Sequence, residues 1–205
     1  RDRSVSRGLG DVYKRQIFIH QMLNAEYTIF ISGSNASLLS RELGTHLTGR
    51  HIPMELFPFS YSEFLSFRNL PAGEDSLSAY LHDGGIPEYV KYHAEIILNT
   101  LIDDILIRDI AIRNSIKDVN SLRALAVYLL SNVGNLVSAG KLTGMFDIKA
   151  TSTFLDYFSF YQSSYLLEFV PIFNYSLKVQ ARNPKKVYAM DLGLSLIHIS
   201  EPTRH

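Results

Sequence analysis

The run Tyr27-Thr28-Ile29-Phe30-Ile31-Ser32 stops at Gly33 and opens through Ser34-Asn35 into a helix-like segment, Ala36 to Leu43. A short apolar run bounded by glycine suits a strand covered on both faces. Its small polar ending places Ser34 and Asn35 at the carboxyl edge of a sheet, the edge at which open α/β folds bind ligands. Arg50 lies one helix further on, in Leu47-Thr48-Gly49-Arg50, where a guanidinium can reach a phosphate held at that edge. A second β-type run, Ile52 to Phe57, is interrupted by Pro58. Two such runs with a helix between them suggest the remnant of a parallel sheet.

The rest of the chain reads as mainly helical. Ile17 to Glu26 has the character of a helix tail, and Ser60-Tyr61-Ser62-Glu63 has the spacing of a capping box, which starts a helix near Tyr61. Residues 69–76, NLPAGEDS, form a loop by composition. Leu77 to Asp83 is a short helix stopped by Gly84-Gly85, with Pro87 following. Ala94 to Ser115 predicts one long helix with apolar positions 97, 98, 101, 105, 107 and 112. Leu122–Val133, Ser138–Phe146 and Ala150–Gln162 are three more helical stretches, followed by strand-like runs at Tyr165–Phe173 and Lys186–Met190. Three helices and a hairpin make a winged helix-turn-helix.

Composition narrows the classes. The chain is 46% hydrophobic and 20% charged with no cysteine, which excludes a disulfide framework and cysteine-type zinc sites. The histidines are scattered, so no metal site is visible. No apolar run approaches the roughly 20 residues that span a bilayer, and we expect a soluble, cytoplasmic protein. Residues 1–16 hold five basic and two acidic residues, and residues 195–205 hold one of each. Residues 17–194 therefore keep 14 of the 20 basic and 17 of the 20 acidic residues, a net of −3. Such a body offers no global electrostatic argument for nucleic acid, although a local basic face is compatible with it.

Taken in order, ISGSN, LTGR, FPFSYSEF, GGIPEY and NPKKVYAMDLGL resemble a bacterial and archaeal family of AAA+ ATPases. In that family a P-loop ATPase core precedes a winged-helix region and a restriction-endonuclease-like end. The resemblance covers residues 17–194 and implies an α/β remnant of a P-loop core (17–68), a helical lid (69–118) and a winged helix-turn-helix (119–194). It gives Asn35, or Ser34, the role of positioning the attacking water; a plain helix N-cap explains the same residues. It makes Arg50 an arginine finger that stabilises charge on the transferring phosphoryl group, that of the neighbouring copy in a homo-oligomer; pairing with Glu55 or Glu42 is the alternative. Gly85 and Pro87 would approach the adenine, or simply punctuate the helices. Arg108 would sense nucleotide, or pair with Asp104 at i−4. ATP and Mg2+ are the cofactors implied for the intact parent.

Lys149, Lys178, Arg182, Lys185 and Lys186, with Lys141, are phosphate-capable donors around the expected recognition helix and wing, so DNA is one expected partner and protein the other. Phe154, Phe158 and Tyr161 recur at helical spacing and read as core. No G-x-x-x-x-G-K-[ST] occurs in the sequence, so no backbone nest cradles phosphates, and no Walker B acidic strand is present. We expect this chain to be inactive alone. RDRSVSRGLGDVYKRQ (1–16) and SLIHISEPTRH (195–205) resemble in-frame translations of sequencing-library linker and are set aside from the fold; a native disordered arm and tail is the other reading.

Overall fold

The computed structural model describes residues 21–22, 27–30, 33, 52 and 54–195. The chain divides into two compact units, Arg1–Met54 and Glu55–His205. In the first, Gln21 and Met22 are helical, and the Tyr27 N–H donates to the Met22 carbonyl at 3.2 Å. Tyr27–Phe30 form no strand, nor do Ile52 and Met54–Phe57. The two β-type runs lack ladder partners among the described residues, and without one an apolar run has nothing to pair its backbone with.

The second unit begins where Ser60 caps helix α1 (Tyr61–Arg68). The Ser60 hydroxyl accepts from the Glu63 N–H, and the Glu63 carboxylate accepts from the Ser60 N–H at 2.8 Å, as the Ser-x-x-Glu spacing predicts. The Ser60 hydroxyl also donates to the Glu63 carboxylate at 2.7 Å, and that bond, with the one from the Ser60 N–H, holds the Glu63 pKa below the usual carboxylate value. Asn69 closes the helix in the left-handed region. Helix α2 (Glu74–Asp83) starts earlier than expected and ends at Gly84, whose φ of 74° suits a residue without Cβ. Pro87 stands at the first turn of α3 (Pro87–Tyr92), where its missing N–H has no intrahelical partner to lose.

The long helix predicted over Ala94–Ser115 is α4 (Glu95–Asp104) continued by a π-helical segment, Ile105–Ile112. The wider winding corrects the expected apolar face. Leu98 and Ile102 of α4 are buried, and the wider winding brings Ile105, Leu106, Ile110 and Ala111 into the core while leaving Ile107 and Ile112 40% and 69% exposed. A uniform 3.6-residue period cannot bury 105, 106, 110 and 111 together without that extra residue per turn.

Helix α5 (Val119–Leu130) is capped by Asp118, which accepts from the Ser121 N–H at 3.0 Å. A two-residue strand β1 (Leu136–Val137), a single-turn α6 (Ala139–Leu142), α7 (Thr151–Ser163) and strand β2 (Leu167–Pro171) follow. The chain then passes through α8 (Leu177–Arg182) into β3 (Lys185–Ala189). The sheet is antiparallel throughout, in the order β1-β3-β2, with Phe169 opposite Val187 and Pro171 opposite Lys185. Leu167, Phe169 and Val187 face inward, and Phe158 of α7 stacks on Phe169 with ring centroids 4.5 Å apart. Phe154, Phe158 and Tyr161 are core, as their spacing indicates; the buried Tyr161 hydroxyl donates to the Leu122 carbonyl at 2.6 Å, joining α7 to α5.

Candidate functional site

Three of the sequence motifs meet at one point. Gly85, from GGIPEY, donates its N–H to the Asp191 carboxylate at 2.6 Å and accepts from the Phe59 N–H at 2.7 Å. Phe59 belongs to FPFSYSEF, and its own carbonyl accepts from the Tyr80 hydroxyl at 2.8 Å. Asp191, from AMDLGL, accepts a second N–H, from Gly193, at 2.9 Å and thereby opens the helical turn at 192–195. The glycines are required by contact. A Cβ on Gly85 would meet the Phe59 carbonyl oxygen at 2.2 Å, and one on Gly193 would meet the Asp83 carbonyl oxygen at 2.5 Å. The two-glycine turn permits a close backbone approach, and the group that approaches is Phe59.

Asp191 is 5% exposed. Burial pushes its pKa up, and the N–H groups of Gly85, Gly193 and Leu194 restrain the rise by stabilising the charged form. The carboxylate is engaged by backbone donors, so its work is to fasten the Gly84-Gly85 turn before α3 to residues 191–194.

Beside this joint lies a polar cluster. The Asp83 carboxylate faces the Nδ1 atoms of His82 at 3.0 Å and His93 at 3.6 Å, and Arg68 at 4.0 Å. Arg68 also donates to the Val90 carbonyl at 3.3 Å, touches His93, and lies over the Phe64 ring. Among the described residues, no group of three or more acidic or histidine side chains could hold a metal ion.

The candidates from the sequence are distributed as follows. Ser34, Asn35 and Arg50 lie outside the described residues. Glu55, one suggested partner of Arg50, accepts from the Tyr165 hydroxyl at 2.9 Å. Gly85 is in the joint and Pro87 begins α3, next to it in sequence. Arg108 pairs with Asp104 at 3.2 Å on an exposed face, the i−4 arrangement weighed above. Lys141, Lys149, Lys178, Arg182 and Lys186 are exposed and Lys185 is half-buried. Among the described residues none of these six cations is in an ion pair. Lys178 and Arg182 lie on the helix within the β2–β3 connection and Lys185 and Lys186 begin β3, whereas Lys141 and Lys149 flank the turn before α7. Sequence reasoning missed Asp191 and the Arg68–Asp83–His93 cluster; for Asp191 the available signal was its place in a quoted motif.

Comparison with known proteins adds the family context. A family model described as a domain of unknown function (DUF8612) matches residues 74–202, and one described as an AAA domain matches residues 12–65. The first match runs on past Leu194, and Ser195, which the sequence reading had set apart with the tail, is buried. Residues 12–65 are thus related to AAA-type ATPases. An uncharacterized protein of Haemophilus influenzae is 39% identical over 122 residues, 56% of this chain and 30% of that protein. An uncharacterized protein of Methanocaldococcus jannaschii is 28% identical over 193 residues, 85% of this chain and 43% of that protein. The chain thus spans less than half the length of either relative. No solved structure matches it. No helix among the described residues is long and apolar enough to cross a membrane.

Proposed function

The chain belongs to the family described as a domain of unknown function (DUF8612), and on that premise we propose that it is the lid and nucleic-acid-binding part of an AAA-type ATPase. In this reading residues 119–194 are a winged helix, with α7 as the recognition helix and the β2–β3 connection as the wing. The observation that carries it is the element order α5-β1-α6-α7-β2-β3 with sheet order β1-β3-β2, combined with cations that have no carboxylate partner among the described residues. Those cations are phosphate-binding groups, and phosphate contacts give affinity without sequence information.

The Gly85–Asp191 joint ties the turn before α3 to the end of the proposed winged helix. The intact ATPase would bind ATP with Mg2+, with Asn35 or Ser34 positioning water and Arg50 acting on a neighbouring copy's nucleotide. This chain holds no phosphate-loop motif and would release no phosphate.

The test is equilibrium binding of a duplex oligonucleotide to the chain at several salt concentrations. If all six cations touched phosphate, the log–log slope would be about −5; we expect about half that, because some of the six must face away from any one duplex. Lys185→Ala/Lys186→Ala should weaken binding and flatten the slope. Absence of binding at low salt would favour a protein-docking winged helix instead.

A further inference from the structure

We propose that the wing is a stacking site for single-stranded DNA, formed by Phe173 and Tyr175 together with Lys178, Arg182, Lys185 and Lys186. This rests on the winged-helix reading above and changes which part of it meets the nucleic acid.

The first observation concerns α7. Its exposed positions are Thr151, Ser152, Leu155, Asp156, Ser159 and Gln162. That face has no cation and carries one carboxylate. A helix that enters the major groove brings its solvent face between two rows of phosphates, where Asp156 would be repelled and nothing on the helix would offset the repulsion. The face is poorly suited to duplex readout.

The wing has the opposite character. Phe173 is 75% exposed and Tyr175 96% exposed, and their rings meet edge to face with centroids 5.3 Å apart. Exposed apolar side chains are ordinary when scattered, but two rings in mutual contact form a small exposed aromatic patch. Pro171 lies opposite Lys185, so Phe173 and Tyr175 begin the connection that runs through α8 back to the start of β3 at Lys185 and Lys186. Lys178 and Arg182 are one helical turn apart on α8, both exposed. Like charges at that spacing repel, a repulsion that a phosphate between them would relieve.

Aromatic rings interleaved with cations match the chemistry of unpaired nucleotides. Bases that are already unstacked lie on the rings while the backbone phosphates meet the cations. A duplex keeps its bases stacked and offers the rings nothing comparable.

The test uses the whole chain and fluorescence anisotropy with a labelled deoxythymidine 20-mer, a duplex of equal length and a uridine 20-mer. The single strand should bind more tightly than the duplex and at least as tightly as the uridine strand, with a log–log salt slope of about −3 from four cations. Phe173→Ala and Tyr175→Ala should each weaken single-strand binding roughly tenfold while leaving the salt slope unchanged. Lys178→Ala/Arg182→Ala should reduce the slope by about 1.4. Both rings are exposed, so unchanged thermal unfolding of the variants is expected and separates lost binding from lost folding. Duplex binding that is tighter and indifferent to both aromatic substitutions would overturn the stacking site and leave the nucleic-acid reading standing. Failure of every oligonucleotide to bind at low salt would overturn both. Tighter binding of the uridine strand would overturn the assignment to DNA.

Discussion

Replacing Asp191 by alanine tests the joint on which the body of the protein depends. The substitution removes the acceptor for the Gly85 N–H at 2.6 Å and the Gly193 N–H at 2.9 Å. The carboxylate that takes both is 5% exposed, so water does not readily replace it. A buried donor left unpaired costs about 1–3 kcal/mol, which sets the gross loss at about 2–6 kcal/mol. Part of this is offset, because the wild-type carboxylate itself is disfavoured by burial. We expect a net loss of about 3 kcal/mol. For a chain of this size that lowers the unfolding midpoint by about 6–12 °C. The assay is thermal unfolding followed by circular dichroism.

Asp191→Asn adds a second readout. The amide retains one acceptor oxygen and turns its NH2 toward a backbone donor, so the loss should be smaller than for alanine but measurable. The pH dependence has a definite sign. The folded-state pKa of Asp191 is raised, so the native protein binds more protons than the unfolded chain between the ordinary carboxylate value of 3.8 and the raised value. In that window the Asp191 contribution falls as pH rises. The stability gap between wild type and Asp191→Asn should therefore be wider near pH 4 than at neutral pH. An alanine variant that unfolds within about 2 °C of wild type, or a gap that narrows as the pH falls, would refute the reasoning.

Three further outcomes follow from the same geometry. Gly85→Ala should lose more than about 3 kcal/mol in denaturant unfolding, because its Cβ would lie 2.2 Å from a backbone oxygen that cannot move aside. Ser60→Ala should lose about 1 kcal/mol through the N-cap; since the Glu63 pKa is lowered, the contribution of the intact box should be lost as pH falls through that lowered value, visible as a narrowing gap between Ser60→Ala and wild type in acid. Arg108→Ala should change stability by less than about 0.5 kcal/mol in the same assay, because its pair with Asp104 is exposed and worth little in water.

Much of the local structure was legible because its causes are local. The Ser60–Glu63 box, the Gly84 stop and Pro87 at the start of α3 each depend on neighbours within four residues in the sequence. The helix over 94–115 was legible in position but not in phase, since apolar periodicity assumes α winding and Ile105–Ile112 winds wider. Strand β1 has two residues, too few for any alternation, and α8 has six, inside what reads as a simple hairpin loop. Asp191 was recognisable as part of a motif, yet its partner Gly85 is 106 residues away, and no local pattern encodes that pairing. Residues 27–30 and 54–57 have a strand's composition, but strand formation depends on a neighbour as much as on composition.

The central claim is that this chain is the nucleic-acid-binding and lid portion of an AAA-type ATPase. The most direct measurement is phosphate release by the full-length Haemophilus influenzae relative, of which this chain spans 30%, with ATP and magnesium, in the presence and absence of single-stranded DNA, alongside the present chain. The account predicts hydrolysis by the long protein, a rate that changes severalfold when DNA is added, and no hydrolysis above background by this chain. A long protein that hydrolyses ATP at a rate indifferent to DNA, or that does not hydrolyse ATP at all, would contradict it.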